Sequence, residues 1–200
     1  MALDGIVLRN ICTELKDKLI EGKIDKVYQP EIDEIIINIR NKGQNLKLLM
    51  SASSNNPRTH ITEFNKKNPQ NPPMFCMLLR KHLQGGIITD INQFSLERIL
   101  TISIQSLNEL GDLTIKELII EIMGKHSNII LIDKNTSKIL DSIKRIPLSI
   151  SSVRQVLPGL KYEFPPSQDK VSPIEIDKEN FLNILNTSTD NTDTFRLLYS

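Results

Sequence analysis

The sequence predicts an α+β fold in which antiparallel strands outnumber helices. Short runs rich in Ile and Leu recur along the chain, each of strand length and separated by turns containing Gly, Asn or Asp. Two stretches, 5–20 and 74–83, instead carry apolar residues at helical spacing. The clearest run–turn–run unit is 117–133, ELIIEIMGKHSNIILID, where Gly, Ser and Asn between two apolar flanks fit a tight reversal and so a hairpin.

The elements follow in order. Asp4 is placed to cap the first helix, and Gly5 permits a close start. Val7, Ile11, Leu15 and Leu19 recur every four residues, with Leu8 and Cys12 beside them, which makes a core stripe running to about Ile20 before Gly22 ends the helix. Residues 24–29 and 34–40 read as strands, Asn41-Lys42-Gly43-Gln44 as a turn, and 45–52 as the returning strand. Residues 53–72, rich in Ser, Asn and Pro, read as a long loop carrying Arg58 and His60, either functional or an inert surface. Pro72-Pro73 open the second helix and Gly85-Gly86 close it. Arg80-Lys81-His82 near its C-terminus either offset the helix dipole or face phosphate. Strands are expected over 87–92, 98–106, 114–123, 128–133 and 139–143, with 108–112 a turn that pairs the second of these with the third. That pairing brings Arg98 close to Met123 and the hairpin. Lys144, Arg145, Arg154 and Lys161 follow on a Pro-interrupted segment, as a phosphate-tracking path or as solvated loop charge. The domain spans 1–172. An acidic stretch, 173–200, opens a second helical module, with Phe181, Leu182 and Leu185 marking one helix and 194–199 the start of another.

Composition narrows the function. The formal charge of the 200 residues is +1, but residues 1–170 hold 23 Lys+Arg against 19 Asp+Glu and 171–200 hold 2 against 5. A net +4 on the main domain permits a nucleic-acid partner without requiring one. Cys12 and Cys76 lie far apart among apolar residues and read as buried thiols of a reducing compartment. No basic leader with an apolar core and no membrane-length apolar run is present, so a cytoplasmic, soluble protein is expected. His60, His82 and His126 have no metal-ligand spacing, and no phosphate loop, dinucleotide fingerprint or nucleophile elbow occurs, so neither catalytic nor metal residues are assigned. Two polar groups remain. Lys125 and His126 at the hairpin tip form either a small anion-binding surface or an ordinary solvated tip. Glu97-Arg98 at the start of a strand are adjacent, so their side chains point to opposite faces. Without further context they are exposed charges at a strand end.

Ala2-Leu3-Asp4, PPMFCMLLRKHL at 72–83, Glu97-Arg98, EIMGKHSN at 121–128 and LPGLKY at 157–162 together resemble the N-terminal domain of the NFACT family, also called fibronectin-binding protein A-like, whose bacterial members act in ribosome quality control. The resemblance covers nearly the whole chain. It implies a β-sandwich flanked by helices, similar to the N-terminal domain of formamidopyrimidine DNA glycosylases. The glycosylase chemistry does not carry over, because that family begins Pro-Glu where Ala2-Leu3 stand here and needs four cysteines. Neither an enzyme nor a cofactor is therefore expected. Family members bind a large ribosomal subunit blocked by peptidyl-tRNA, and the bacterial ones recruit alanyl-tRNA for template-free alanine tailing, with the ribosome supplying the peptide-bond chemistry. The family's acidic residue near the N-terminus matches Asp4, and its Asp-Arg pair falls on Glu97-Arg98, with an acid one methylene longer. Its Glu-Ile-Met segment matches Glu121, Ile122 and Met123. The resemblance thus implies a tRNA-binding set of Asp4, Glu97, Arg98, Glu121, Ile122, Met123, Lys125 and His126. The family's older name implies an alternative, a surface adhesin with fibronectin as partner, against which the lack of an export signal argues.

Overall fold

Asp4 starts α1 (Gly5–Leu19) as expected: its Oδ1 accepts the Val7 N–H at 2.8 Å, satisfying one of the free donors of the first turn. Leu8, Cys12, Leu15 and Leu19 are the buried stripe. The helix stops where Glu21 turns left-handed, and Gly22 then passes so close to the strand Glu34–Asn41 that a Cβ there would lie 2.6 Å from Ile39 Cγ2. The computed structural model describes residues 3–166 and 176–187. They belong to two compact units, Met1–Glu163 and Phe164–Ser200.

In the first unit α1 is followed by β1 (Lys23–Glu31), β2 (Glu34–Asn41), β3 (Gln44–Ser51), β4 (Arg58–Ile61), α2 (Met74–Leu83), β5 (Ile87–Gln93), β6 (Ile99–Leu107), β7 (Leu113–Glu121), β8 (Asn128–Asp133) and β9 (Ile139–Ser142). The nine strands form one antiparallel sheet in the order β4-β3-β2-β1-β5-β6-β7-β8-β9. The expected β-sandwich flanked by helices is met in part, as one large antiparallel sheet with few helices. The runs β4–β1 and β5–β9 are joined through a single residue pair, Lys23↔Ile87, flanked by Ile24 N–H to Gly86 O and Ile88 N–H to Gly22 O. The helices do not merely flank the sheet. α1 packs on β2, β4 and β5, α2 on β1, β6 and β9, and their stripes share one core with both runs. A second, smaller core of Ile99, Ile119, Ile130, Ile132, Ile139, Val156 and Tyr162 lies on the other face, beneath the segment 146–162.

The loop expected over 53–72 contains β4, a short edge strand paired to β3. Thr59 points inward, while Arg58 meets the buried Glu34 carboxylate at 3.3 Å and Lys66 meets it at 2.8 Å. The expected phosphate-tracking path is also corrected for most of its members. Lys144 Nζ donates to Ala52 O at 2.5 Å, Arg145 grips Asp141 and Arg154 grips Glu121, so these cations answer internal acceptors. Arg80 donates to Val27 O at 2.8 Å and Lys81 pairs with Glu109 at 2.7 Å, which favours the structural reading of that cluster. In the second unit α3 (Lys178–Thr187) carries Phe181 and Leu182, and Asp177 caps it by accepting the Asn180 N–H at 2.7 Å. The helix expected at 194–199 lies outside the described residues. Among the described residues no helix is long and apolar enough to cross a membrane.

Candidate nucleic-acid interface

Three separate stretches meet at one edge of the first unit. The first is the start of α1. Gly5 lies so close to the turn after β5 that a Cβ on it would stand 1.9 Å from Leu96 O, so only glycine lets the helix come in there. Gln93 fastens the contact by donating to Gly5 O at 2.8 Å and to Glu97 O at 2.9 Å. Asp4 is thereby held beside the Glu97-Arg98 turn. The second stretch is that turn, in which Ser95 adopts φ 48 and the Glu97 N–H bonds back to Phe94 O. The third is the tip between β7 and β8. The β6–β7 register pairs Ile99 with Glu121, and one step further the Ile122 N–H donates to Arg98 O at 2.8 Å. The expected approach of Arg98 to the hairpin is present in the backbone itself.

The expected tight reversal is a 3₁₀ turn, Gly124–His126. Gly124 takes φ 56, and the buried Ser127 hydroxyl accepts the Met123 N–H at 2.8 Å. Asn128, fully buried, clasps the chain on the other side: its Nδ2 donates to Lys144 O at 2.8 Å and its Oδ1 accepts the Lys144 N–H at 3.1 Å. The turn is rigidly founded, as a surface that must present side chains in fixed directions needs to be.

Of the eight residues expected at the site, Asp4, Arg98, Lys125 and His126 are exposed, and Glu97 and Met123 are half-buried. Among the described residues the side chains of Glu97, Arg98, Lys125 and His126 make no hydrogen bond or ion pair within the protein. Glu121 and Ile122 are placed differently. Ile122 points into the main core, and Glu121 points to the opposite face, where its side chain is only 2% exposed. Arg154 binds it with both terminal nitrogens, at 2.9 and 2.7 Å, and the Tyr162 hydroxyl donates to it at 2.9 Å. Burial works against the Arg154 charge, but the bonds to Glu121 outweigh it and hold the guanidinium above its ordinary value. Burial and the same carboxylate push the Tyr162 phenol up. Sequence reasoning missed Arg154 and Tyr162 as a unit. An acid in an Ile-rich strand demands a buried partner, and that was the available signal. Among the described residues no group of three His, Cys, Asp or Glu is arranged to hold a metal.

A face with one free guanidinium, one ammonium, one imidazole and two flanking carboxylates suits RNA, phosphate for the cations and base amino groups for the acids. The family model described as NFACT N-terminal and middle domains matches residues 4–200. The chain belongs to the NFACT family. It is 47% identical over 182 residues to the Rqc2 homolog RqcH of Bacillus subtilis, covering 91% of this chain and 32% of that protein. To the archaeal Rqc2 homolog aRqcH of Methanocaldococcus jannaschii it is 28% identical over 179 residues, covering 82% and 25%. The chain therefore spans about a third of the length of the RqcH relatives it matches. Among solved structures, the N-terminal domain of the fibronectin-binding protein PavA of Streptococcus pneumoniae superposes with a TM-score of 0.87 at 43% identity, covering 92% of this chain and 69% of that one. The N-terminal part of the fibronectin/fibrinogen-binding protein of Streptococcus suis gives 0.91 at 40% identity, covering 100% and 74%. In this NFACT chain the PPMFCMLLRKHL stretch is α2, a core element, whereas EIMGKHSN is the tip of the candidate face.

Proposed function

We propose that this unit is the tRNA-contacting part of a ribosome quality control factor. In that reading the whole protein binds a large ribosomal subunit obstructed by peptidyl-tRNA and recruits alanyl-tRNA for template-free alanine tailing of the stalled chain. It works in the cytoplasm as a binding protein without a cofactor. Its fold is related to the glycosylase N-terminal domain without the Pro-Glu chemistry. Similarity to RqcH proteins supports the ribosomal role. The observation that carries the tRNA assignment is the Arg98 O to Ile122 N–H bond together with the Gly5–Leu96 contact, which gather Asp4, Glu97, Arg98, Lys125 and His126 from three parts of the chain.

Arg98 is the central contact, because a guanidinium can fork onto phosphate or onto a base edge. Arg98→Ala in the full-length protein should weaken tRNA recruitment by roughly 1–3 kcal/mol, the scale of one bidentate contact. Copurified large-subunit RNA should stay at the wild-type amount. Pulling down both proteins from cells and sequencing the RNA tests this. Unchanged tRNA, or loss of ribosomal RNA along with it, would overturn the assignment. The adhesin reading rests on the names of the structural neighbours. Saturable binding of the full-length protein to immobilised fibronectin that persists in the presence of RNA would favour it.

A further inference from the structure

Glu121 adjoins the tip, yet its carboxylate is closed off from any RNA. Oε1 accepts from Arg154 and from Tyr162, Oε2 accepts from Arg154, and the Arg154 guanidinium lies 5.1 Å from the centre of the Tyr162 ring. A buried ion pair of this kind is weak evidence of a stabilising role, since well-packed apolar groups often serve as well. What a bidentate fork adds is geometry, because two parallel bonds fix both distance and angle. Here they fix the last residue of β7 against the segment 146–162, which crosses the outer face of the sheet.

The neighbours of Glu121 are the working parts of the face. Ile122 carries the N–H that holds Arg98 O, and Met123 packs on the outer core that contains Val156 and Tyr162. The β8 stem of the tip has its own clamp in Asn128 and Lys144, and Lys144 reaches Ala52 O. The tip is thus held at both stems, by Glu121–Arg154–Tyr162 on one and Asn128–Lys144 on the other. We infer that Glu121, Arg154 and Tyr162 are positioning residues for the RNA face. Glu121 serves that face through Arg154 and Tyr162, by fixing the 3₁₀ tip and the Arg98 backbone, and does not touch RNA. The inference rests on the tRNA-contacting role proposed above.

The test uses the full-length protein purified from cells, with Arg98→Ala run in parallel. Arg154→Lys keeps the charge and removes the fork; Tyr162→Phe removes one hydroxyl and keeps the packing. Both should lower tRNA recovery several-fold at wild-type ribosomal RNA, and amide exchange over 123–127 should quicken while that of β2 and β3 is unchanged. Glu121→Gln combined with Arg154→Lys should lose no more than the worse single variant, because the two act as one unit. If Tyr162→Phe and Arg154→Lys both recover wild-type tRNA, or if the Glu121→Gln and Arg154→Lys losses add, the inference is wrong while the face can stand. Should Arg154→Lys fail to fold, Tyr162→Phe alone decides. If Arg98→Ala recovers wild-type tRNA, the face itself is misassigned and the inference falls with it.

Discussion

His60 and His82 stand where a positive charge is unwelcome. Burial lowers the pKa of each, reinforced by Arg58 for His60 and by Lys116 for His82, with acids nearby only partly offsetting this. Both imidazoles are therefore harder to protonate in the folded protein than in the unfolded chain, which takes up protons near the ordinary value of 6.5. A depressed folded pKa means that the stabilisation is fully present above the unfolded value and is lost as pH falls through the folded one. The melting temperature should accordingly hold steady above about pH 7 and decline below about 6.5. The double variant His60→Gln/His82→Gln should flatten that decline in a scan of melting temperature against pH. An equally steep decline in the variant would place the acid sensitivity elsewhere.

At the scale of elements, α1 begins at a residue that has a structural duty and, in the function proposed above, an RNA-facing one as well. The Asp4 carboxylate caps the helix through one oxygen, Oδ1, on Val7 N–H. Asp4→Ala should cost about 1 kcal/mol of stability, within the usual 0.5–2 for a lost cap. Asp4→Ser should restore the cap and the denaturation midpoint but, if the proposed face is right, leave tRNA recovery below wild type, because a hydroxyl replaces the carboxylate. Full recovery of tRNA with Asp4→Ser would reduce Asp4 to a cap. Elements with local signals were legible from sequence: α1 from its four-residue stripe and cap, α2 from Pro72-Pro73 and Gly85-Gly86, the β6–β7 pairing from the turn at 108–112. β4 was not legible, because Arg-Thr-His-Ile is a short, mostly polar edge strand anchored inward only by Thr59 and the partly buried Ile61. At the site, the convergence of Arg98 with the hairpin followed from register. The partners of Glu121 did not, since an acid in an Ile-rich strand signals that a partner is needed but not that it lies 33 or 41 residues away.

The single sheet is a property of the whole molecule, and its one-pair junction between β1 and β5 explains why no strand pattern foretold it. A seam that narrow cannot by itself couple the two runs of strands. What couples them is the core, where Leu8, Leu15 and Leu19 of α1 and Leu79 and Leu83 of α2 meet Ile37 and Leu48 from one run and Ile102, Leu118 and Ile120 from the other. The unit should then unfold as one, even though its sheet is nearly divided. Leu15 is the residue to remove, being fully buried on the helix that touches β2, β4 and β5. Leu15→Ala deletes three buried carbons and should lower the unfolding free energy by about 2–5 kcal/mol, the range for a cavity in a core that relaxes only in part. Because the cavity belongs to both runs, native-state amide exchange should accelerate by the same free energy at Ile37 in β2 and at Ile120 in β7. Loss of protection at Ile37 with Ile120 unchanged would show instead that the runs are separate cooperative units, with the β1–β5 seam as the boundary between them.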